Sequence, residues 1–95
     1  MYWVYILECA DGSFYSGHTE NLEVRIAQHA SGLDPSCYTY VRRPITLAYS
    51  QDCVTREEAL TMERRLKGWS RAKKKALIAG DWTEIVRLSN LNRKK

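Results

Sequence analysis

The sequence predicts an α+β domain: a small three-stranded, mainly antiparallel sheet flanked by helices, in the order β-β-α-β-α-α-α. Three observations carry this expectation. The N-terminal run YWVYILE (2–8) is apolar on both alternating faces, as in a strand covered on both sides. Segments 22–31, 56–67 and 71–79 each lie between an N-capping residue and a glycine. At 95 residues the chain has room for one domain with one modest core.

The elements follow in order. Asp11-Gly12 marks a turn, and SFYSG (13–17) reads as the returning strand. A three-residue loop, Ala10 to Gly12 with Gly12 left-handed in a bulge, puts Tyr5, Leu7 and Tyr15 on one face. A two-residue loop would separate the tyrosines, and the first register is the one predicted here. Helix one starts after Asn21 and ends before Gly32, with Leu22, Ile26 and Ala30 as its apolar stripe and Arg25 and His29 along the edge. Residues 31–44 read as a loop, and ITLAYS (45–50) as the third strand.

Thr55 and Glu58 have the form of a capping box opening a second helix, whose buried stripe is Ala59, Met62 and Leu66. Glu63 falls within that stripe. Ser70 caps a third helix ending at Gly80, and Asp81 with Glu84 opens a last one with Trp82, Ile85 and Leu88 inward. No linker or repeat interrupts the chain, so a single domain over 1–95 is expected, with a core of about 1–80 and a C-terminal helix and basic tail over 81–95.

Composition narrows the function. No apolar run approaches membrane-spanning length and no signal-peptide pattern opens the chain, so a soluble cytoplasmic protein is expected. Cys9, Cys37 and Cys53 are odd in number with no close pair, which argues against a disulfide framework and a zinc site. The net charge is +4 and the pI about 9.1, with basic clusters at Arg42-Arg43, Arg64-Arg65, Arg71 with Lys73-Lys74-Lys75, and Arg93-Lys94-Lys95. Such a surface suits a polyanion, of which nucleic acid is the commonest.

Several residues carry chemistry. A carboxylate on the apolar side of a helix costs several kcal/mol of desolvation unless paired, protonated or bound to a metal. For Glu63 the open alternatives are an ion pair with Lys67 or Arg25, or ligation of Mg²⁺ or Mn²⁺ with water and phosphate oxygens completing the shell. Tyr5 and Tyr15 on one face are ordinary strand residues or, with Arg⁺ and a metal lowering a phenol pKa, a base for water. Arg25 either snorkels or grips a phosphate in bidentate fashion. No nucleophilic triad or glycine-rich phosphate loop is visible.

The ordered set Trp3-Val4-Tyr5, Tyr15-Ser16-Gly17, Arg25 with His29, and Glu63 within EALTMERRLKGWS resembles the GIY-YIG nuclease superfamily, most closely its small stand-alone bacterial members. The likeness runs over about residues 1–80. It departs from the pattern at Trp3 (for Gly), at Ser16 (for Ile), and at 70–76, where Ser70 and lysines stand in place of an Asn. The resemblance implies a Mg²⁺- or Mn²⁺-dependent endonuclease acting on DNA phosphodiesters. Tyr5 would be the general base supported by Tyr15, an assignment that the resemblance leaves open between the two. Arg25 would bind the scissile phosphate and Glu63 the metal, with His29 near the base and His18 at a polar position. His18, Tyr38 or Tyr40 for base stacking, Arg42, Arg43 and Lys67 are the substrate-binding candidates. Low sequence specificity, single-stranded or branched DNA, a role in DNA repair and a monomer are expected, with RNA left open. The alternative is a non-catalytic nucleic-acid-binding module that keeps the fold.

Overall fold

The central strand organises the molecule. The computed structural model describes residues 1–93, and in it β1 (Tyr2–Glu8) lies between β2 (Phe14–Thr19) and β3 (Thr46–Cys53), all antiparallel, in the order β2-β1-β3. Val4, Tyr5, Ile6 and Leu7 are all buried, as a run apolar on both faces requires. The helices are α1 (Leu22–Ser31), α2 (Arg56–Lys67), α3 (Arg71–Ala79) and α4 (Trp82–Arg93), and a single 3₁₀ turn (Tyr40–Arg42) interrupts the loop after α1. The α+β class and the element order are as expected.

The hairpin closes in the three-residue form. Cys9 N–H donates to the Ser13 carbonyl at 2.9 Å, Gly12 N–H donates to the Cys9 carbonyl at 2.9 Å, and Gly12 has φ +82°. Leu7 then stands opposite Tyr15 and Tyr5 opposite Gly17, which puts Tyr5, Leu7 and Tyr15 on one face. On the other face Val4 and Ile6 join Cys53, Ala59, Leu66, Ala76, Leu77 and Ile85 in the main core. At about 25 cal/mol per Å² of apolar surface, this contiguous burial is the chief source of stability.

The helix caps agree with the sequence. Asn21, Thr55 and Ser70 side chains accept from Val24, Glu58 and Lys73 N–H, the Thr55–Glu58 capping box is complete, and Gly32 and Gly80 terminate α1 and α3 in the left-handed region. Three details differ. The second and third strands run on to Thr19 and Cys53, because β1 offers partners along its whole length. In α1, Ala30 is exposed and His29 is the buried residue, because this short helix turns its predicted polar edge toward the sheet. Trp82, expected inward, is 63% exposed; Ile85 alone of that trio is buried. The end of the expected basic tail, Lys94 and Lys95, lies outside the described residues.

Candidate active site

The site is built around the β2 edge from two clusters. The first begins with a glycine. A β-carbon on Gly17 would lie 2.5 Å from the Tyr5 hydroxyl oxygen and 2.7 Å from Cζ, so the ring passes directly over the glycine's bare backbone. That crossing carries the Tyr5 hydroxyl to α1, where it meets His29 Nε2 at 3.1 Å. The other ring nitrogen, Nδ1, is 2.8 Å from Thr39 Oγ1, and the Thr39 hydroxyl donates to Cys37 Sγ at 3.5 Å. Donor directions make one consistent chain. Thr39 gives its proton to sulfur and accepts from His29 Nδ1–H, which leaves Nε2 to accept from the Tyr5 hydroxyl.

Burial sets the titration of this cluster. It pushes the Tyr5 phenol above its ordinary value, and Arg25 pulls the other way without overcoming it. Burial likewise raises Tyr15, with the Cys37 and Glu63 charges adding to it against Arg25. The expectation that Arg25 brings a phenol down is thus corrected for the protein by itself: desolvation of the anion is the larger effect. His29 is pushed below its ordinary value by burial and by the Arg25 charge, so it is neutral at pH 7 and free to accept a proton. Burial raises the Cys37 thiol, but hydrogen bonding to Thr39 prevails and leaves it below its usual value.

Arg25 is held by Gln28, whose Oε1 accepts from Nη1 at 3.1 Å. Tyr15 packs against His29 at 5.2 Å between ring centroids and stacks on Tyr38 at 6.0 Å. Tyr5, Tyr15, Arg25, His29 and Tyr38 are therefore one assembly.

The second cluster lies where β2 faces α2. His18 Nδ1 is in direct contact with Glu63 Oε1, and Lys67 Nζ is 2.6 Å from Oε2. Of the two ion pairs open in the sequence, the structure forms the one with Lys67 and adds His18. Burial raises the Glu63 carboxyl, but the bonds from Lys67 and His18 outweigh it and hold the group ionised, below its usual range. Its charge is felt at both Tyr5 and Tyr15, so the two clusters share one electrostatic field. Among the described residues no three His, Cys, Asp or Glu side chains gather as a metal site. An ionised carboxylate with 15% of its side chain exposed would suit a divalent ion completed by water and phosphate once one of the donors now on its oxygens, the His18 ring N–H or the Lys67 ammonium, gives way.

The other candidates flank the site. Arg42 caps the Tyr38 ring at 3.8 Å, donates from Nη1 to the Tyr38 carbonyl at 2.8 Å, and makes an ion-pair contact rather than an aligned hydrogen bond with Asp11 at 3.2 Å. Arg43 donates to the Tyr40 carbonyl at 2.9 Å and lies over that ring. A base stacking on the capped face of Tyr38 or Tyr40 must displace an arginine. A groove beside the site is lined by Tyr15, Ser16, Tyr38, Lys67 and Lys74. Thr39 and Gln28 show no role in the sequence, and Lys74 figures there only within a basic cluster. Thr39 sits in a turn-rich loop with no periodicity, and nothing in the sequence links it to His29.

A sheet edge that brings a Tyr of the first strand over the Gly of the second, beside a helical Arg and a Glu of the next helix, is the arrangement expected of a GIY-YIG nuclease domain. The chain belongs to the GIY-YIG family: the family model described as the GIY-YIG catalytic domain matches residues 1–76. That family is a nuclease superfamily. Among relatives, the chain is similar to UPF0213 proteins of Halobacterium salinarum (42% identity, covering 82% of this chain and 100% of the relative) and Bacillus pumilus (43%, 81% and 78%). The solution NMR structure of a UPF0213 protein from Bacillus halodurans superposes with a TM-score of 0.54 at 40% identity, covering 94% of this chain and 98% of that one. No helix of the described residues is long and apolar enough to cross a membrane, and all three cysteines are free thiols.

Proposed function

We propose that this chain is a divalent-metal-dependent endonuclease that hydrolyses DNA phosphodiester bonds with low sequence specificity. The observation that carries this reading is the Tyr5 hydroxyl bonded to a neutral His29, in a family of nucleases, with Arg25 beside it and Glu63 across the strand edge. Tyr5, rather than Tyr15, is the base, because its hydroxyl is the one of the two bonded to a neutral imidazole. His29 Nε2 takes the phenol proton as the phenol oxygen takes one from the attacking water, so negative charge never accumulates on a buried phenolate. Arg25 faces the phosphate and offsets the charge that builds on it, and Tyr15 closes the other side of the cluster. Glu63 would hold Mg²⁺ or Mn²⁺, which supplies polarisation of a phosphoryl oxygen and support for the leaving 3′ oxygen. Lys67 and Lys74 line the groove along which the strand would continue, with Arg42, Arg43 and Tyr38 at its margin. The whole of 1–95 acts as one cytoplasmic, monomeric domain on single-stranded or branched DNA.

The test is an endpoint cleavage panel over single-stranded, duplex and branched DNA and over RNA, with metal removed and restored. Tyr5→Phe and Glu63→Ala should each abolish cutting while binding in EDTA survives. Failure of the unaltered protein to cut any of these with either metal would leave the second reading. That reading, a binding module without turnover, is favoured by one observation: both Glu63 oxygens are engaged by the protein's own side chains.

A further inference from the structure

His18 and Glu63 come from different elements, 45 positions apart, and meet side chain to side chain. His18 stands opposite Val4 in the β1–β2 register, so it projects from the face that α2 covers. Its side chain is 26% exposed and that of Glu63 15%, so each is partly open to solvent while packing holds both. A cation that reaches Oε1 therefore arrives against an imidazole nitrogen as well. Divalent ions of this size bind oxygen and nitrogen at about 2.1 Å, and two neighbouring ligands of one ion lie about 3 Å apart. Groups already in contact need only a small widening to share an ion.

We propose that His18, through Nδ1, is a second protein ligand of the divalent ion at Glu63, and that this nitrogen–oxygen pair selects Mn²⁺ or a neighbouring transition ion over Mg²⁺. The inference rests on reading Glu63 as a metal ligand. Imidazole is a poor ligand for Mg²⁺, which prefers all-oxygen shells, and a good one for transition ions. In the metal-bound form the ring carries its proton on Nε2 and presents the Nδ1 lone pair. Lys67 is the group that yields: its side chain is 55% exposed on a long flexible stem, and it releases Oε2 if the ion spans both oxygens. No third His, Cys, Asp or Glu side chain joins the pair among the described residues, so the other positions fall to water and phosphate oxygens.

The rival arrangement has His18 only orienting Glu63 by donating its N–H. The two differ in whether nitrogen touches the ion, which spectroscopy reads directly. Mn²⁺ is titrated into the full chain by electron paramagnetic resonance, Mg²⁺ is used as competitor, and electron spin-echo modulation is recorded on the bound Mn²⁺. The proposal expects modulation from directly bound nitrogen and Mn²⁺ binding at least about tenfold tighter than Mg²⁺. His18→Gln should remove the modulation and lower the Mn²⁺/Mg²⁺ preference by about tenfold or more, and Glu63→Gln should abolish site-specific binding. Bound Mn²⁺ that depends on Glu63 but shows no nitrogen modulation overturns the role of His18 and leaves that of Glu63 standing. Absence of any Mn²⁺ binding to the unaltered protein overturns both. Because the modulation is recorded on the unaltered chain, a variant that fails to fold does not remove the test.

Discussion

Tyr5 and Gly17 are register partners on adjacent strands, and the ring of the first occupies the space that a side chain on the second would fill. Gly17→Ala should therefore push Tyr5 off His29. The expected cost is about 1–3 kcal/mol of stability from overpacking, and at least about a hundredfold in cleavage from misplacing the base. Thermal denaturation and single-turnover cleavage measure the two. A fully active Gly17→Ala variant would mean that the Tyr5 position does not matter to the chemistry.

Thr39 holds His29 from behind. Thr39→Val keeps the shape but leaves His29 Nδ1–H only the weaker acceptor Cys37 Sγ at 3.7 Å, costing about 1 kcal/mol in this buried setting. Nitrogen chemical shifts of the His29 ring should show the loss of a single tautomer, and cleavage should fall about tenfold. Thr39→Ser should restore both, and a Val variant with native ring shifts would remove Thr39 from the positioning chain.

Stability should change with pH in separate windows. His29 titrates lower when folded than its ordinary 6.5, so in the window below 6.5 the unfolded chain binds more protons. Its contribution is full above about 6.5 and is lost as pH falls through the folded value. Tyr5 titrates above 10.0 when folded, so its contribution is full below 10 and is lost as pH rises through the folded value. The Glu63 share is lost further down, as pH falls from 4.5 through its depressed value. Urea midpoints measured across pH should show His29→Phe flattening the slope just below 6.5 and Tyr5→Phe flattening the alkaline fall. Identical profiles for variant and parent would contradict these assignments.

Lys67 competes for Glu63 with any cation. Lys67→Met should tighten divalent-ion binding several-fold, since the ammonium 2.6 Å from Oε2 is gone. The same change should weaken binding to single-stranded DNA in EDTA and reduce the salt dependence of log K by about 0.7. Isothermal titration with metal and fluorescence anisotropy with oligonucleotide measure the two effects. Weaker metal binding in the variant would show Lys67 to be an organiser of the carboxylate instead of a rival for it.

Arg42 and Arg43 have a narrower expected role. Both guanidinia cap tyrosines and satisfy loop carbonyls, so Arg42→Ala and Arg43→Ala should lower stability as well as DNA affinity. A loss of affinity with unchanged melting would show that they are free for phosphate.

Local chemistry made much of this molecule readable from its residues in order. Caps at Asn21, Thr55 and Ser70, the turn at Asp11-Gly12 and the apolar run of β1 each act through neighbours a few positions away, and each formed as expected. Even the hairpin register could be reasoned out, because a loop of three residues leaves one way to alternate the side chains. The same reasoning misplaced Trp82 and Ala30, since a helix stripe says which residues are apolar and not how the helix rolls against its neighbours.

By itself, then, the sequence determined the elements, their order, the shared face of Tyr5 and Tyr15 and the family that these residues mark. Tertiary structure alone decided which polar groups satisfy one another: His29 between Tyr5 and Thr39, and Glu63 between His18 and Lys67. The physical reason is distance along the chain. A cap or a turn is a bond between near neighbours, whereas His18 and Glu63 meet across 45 positions through the packing of α2 on the sheet, which no local pattern encodes.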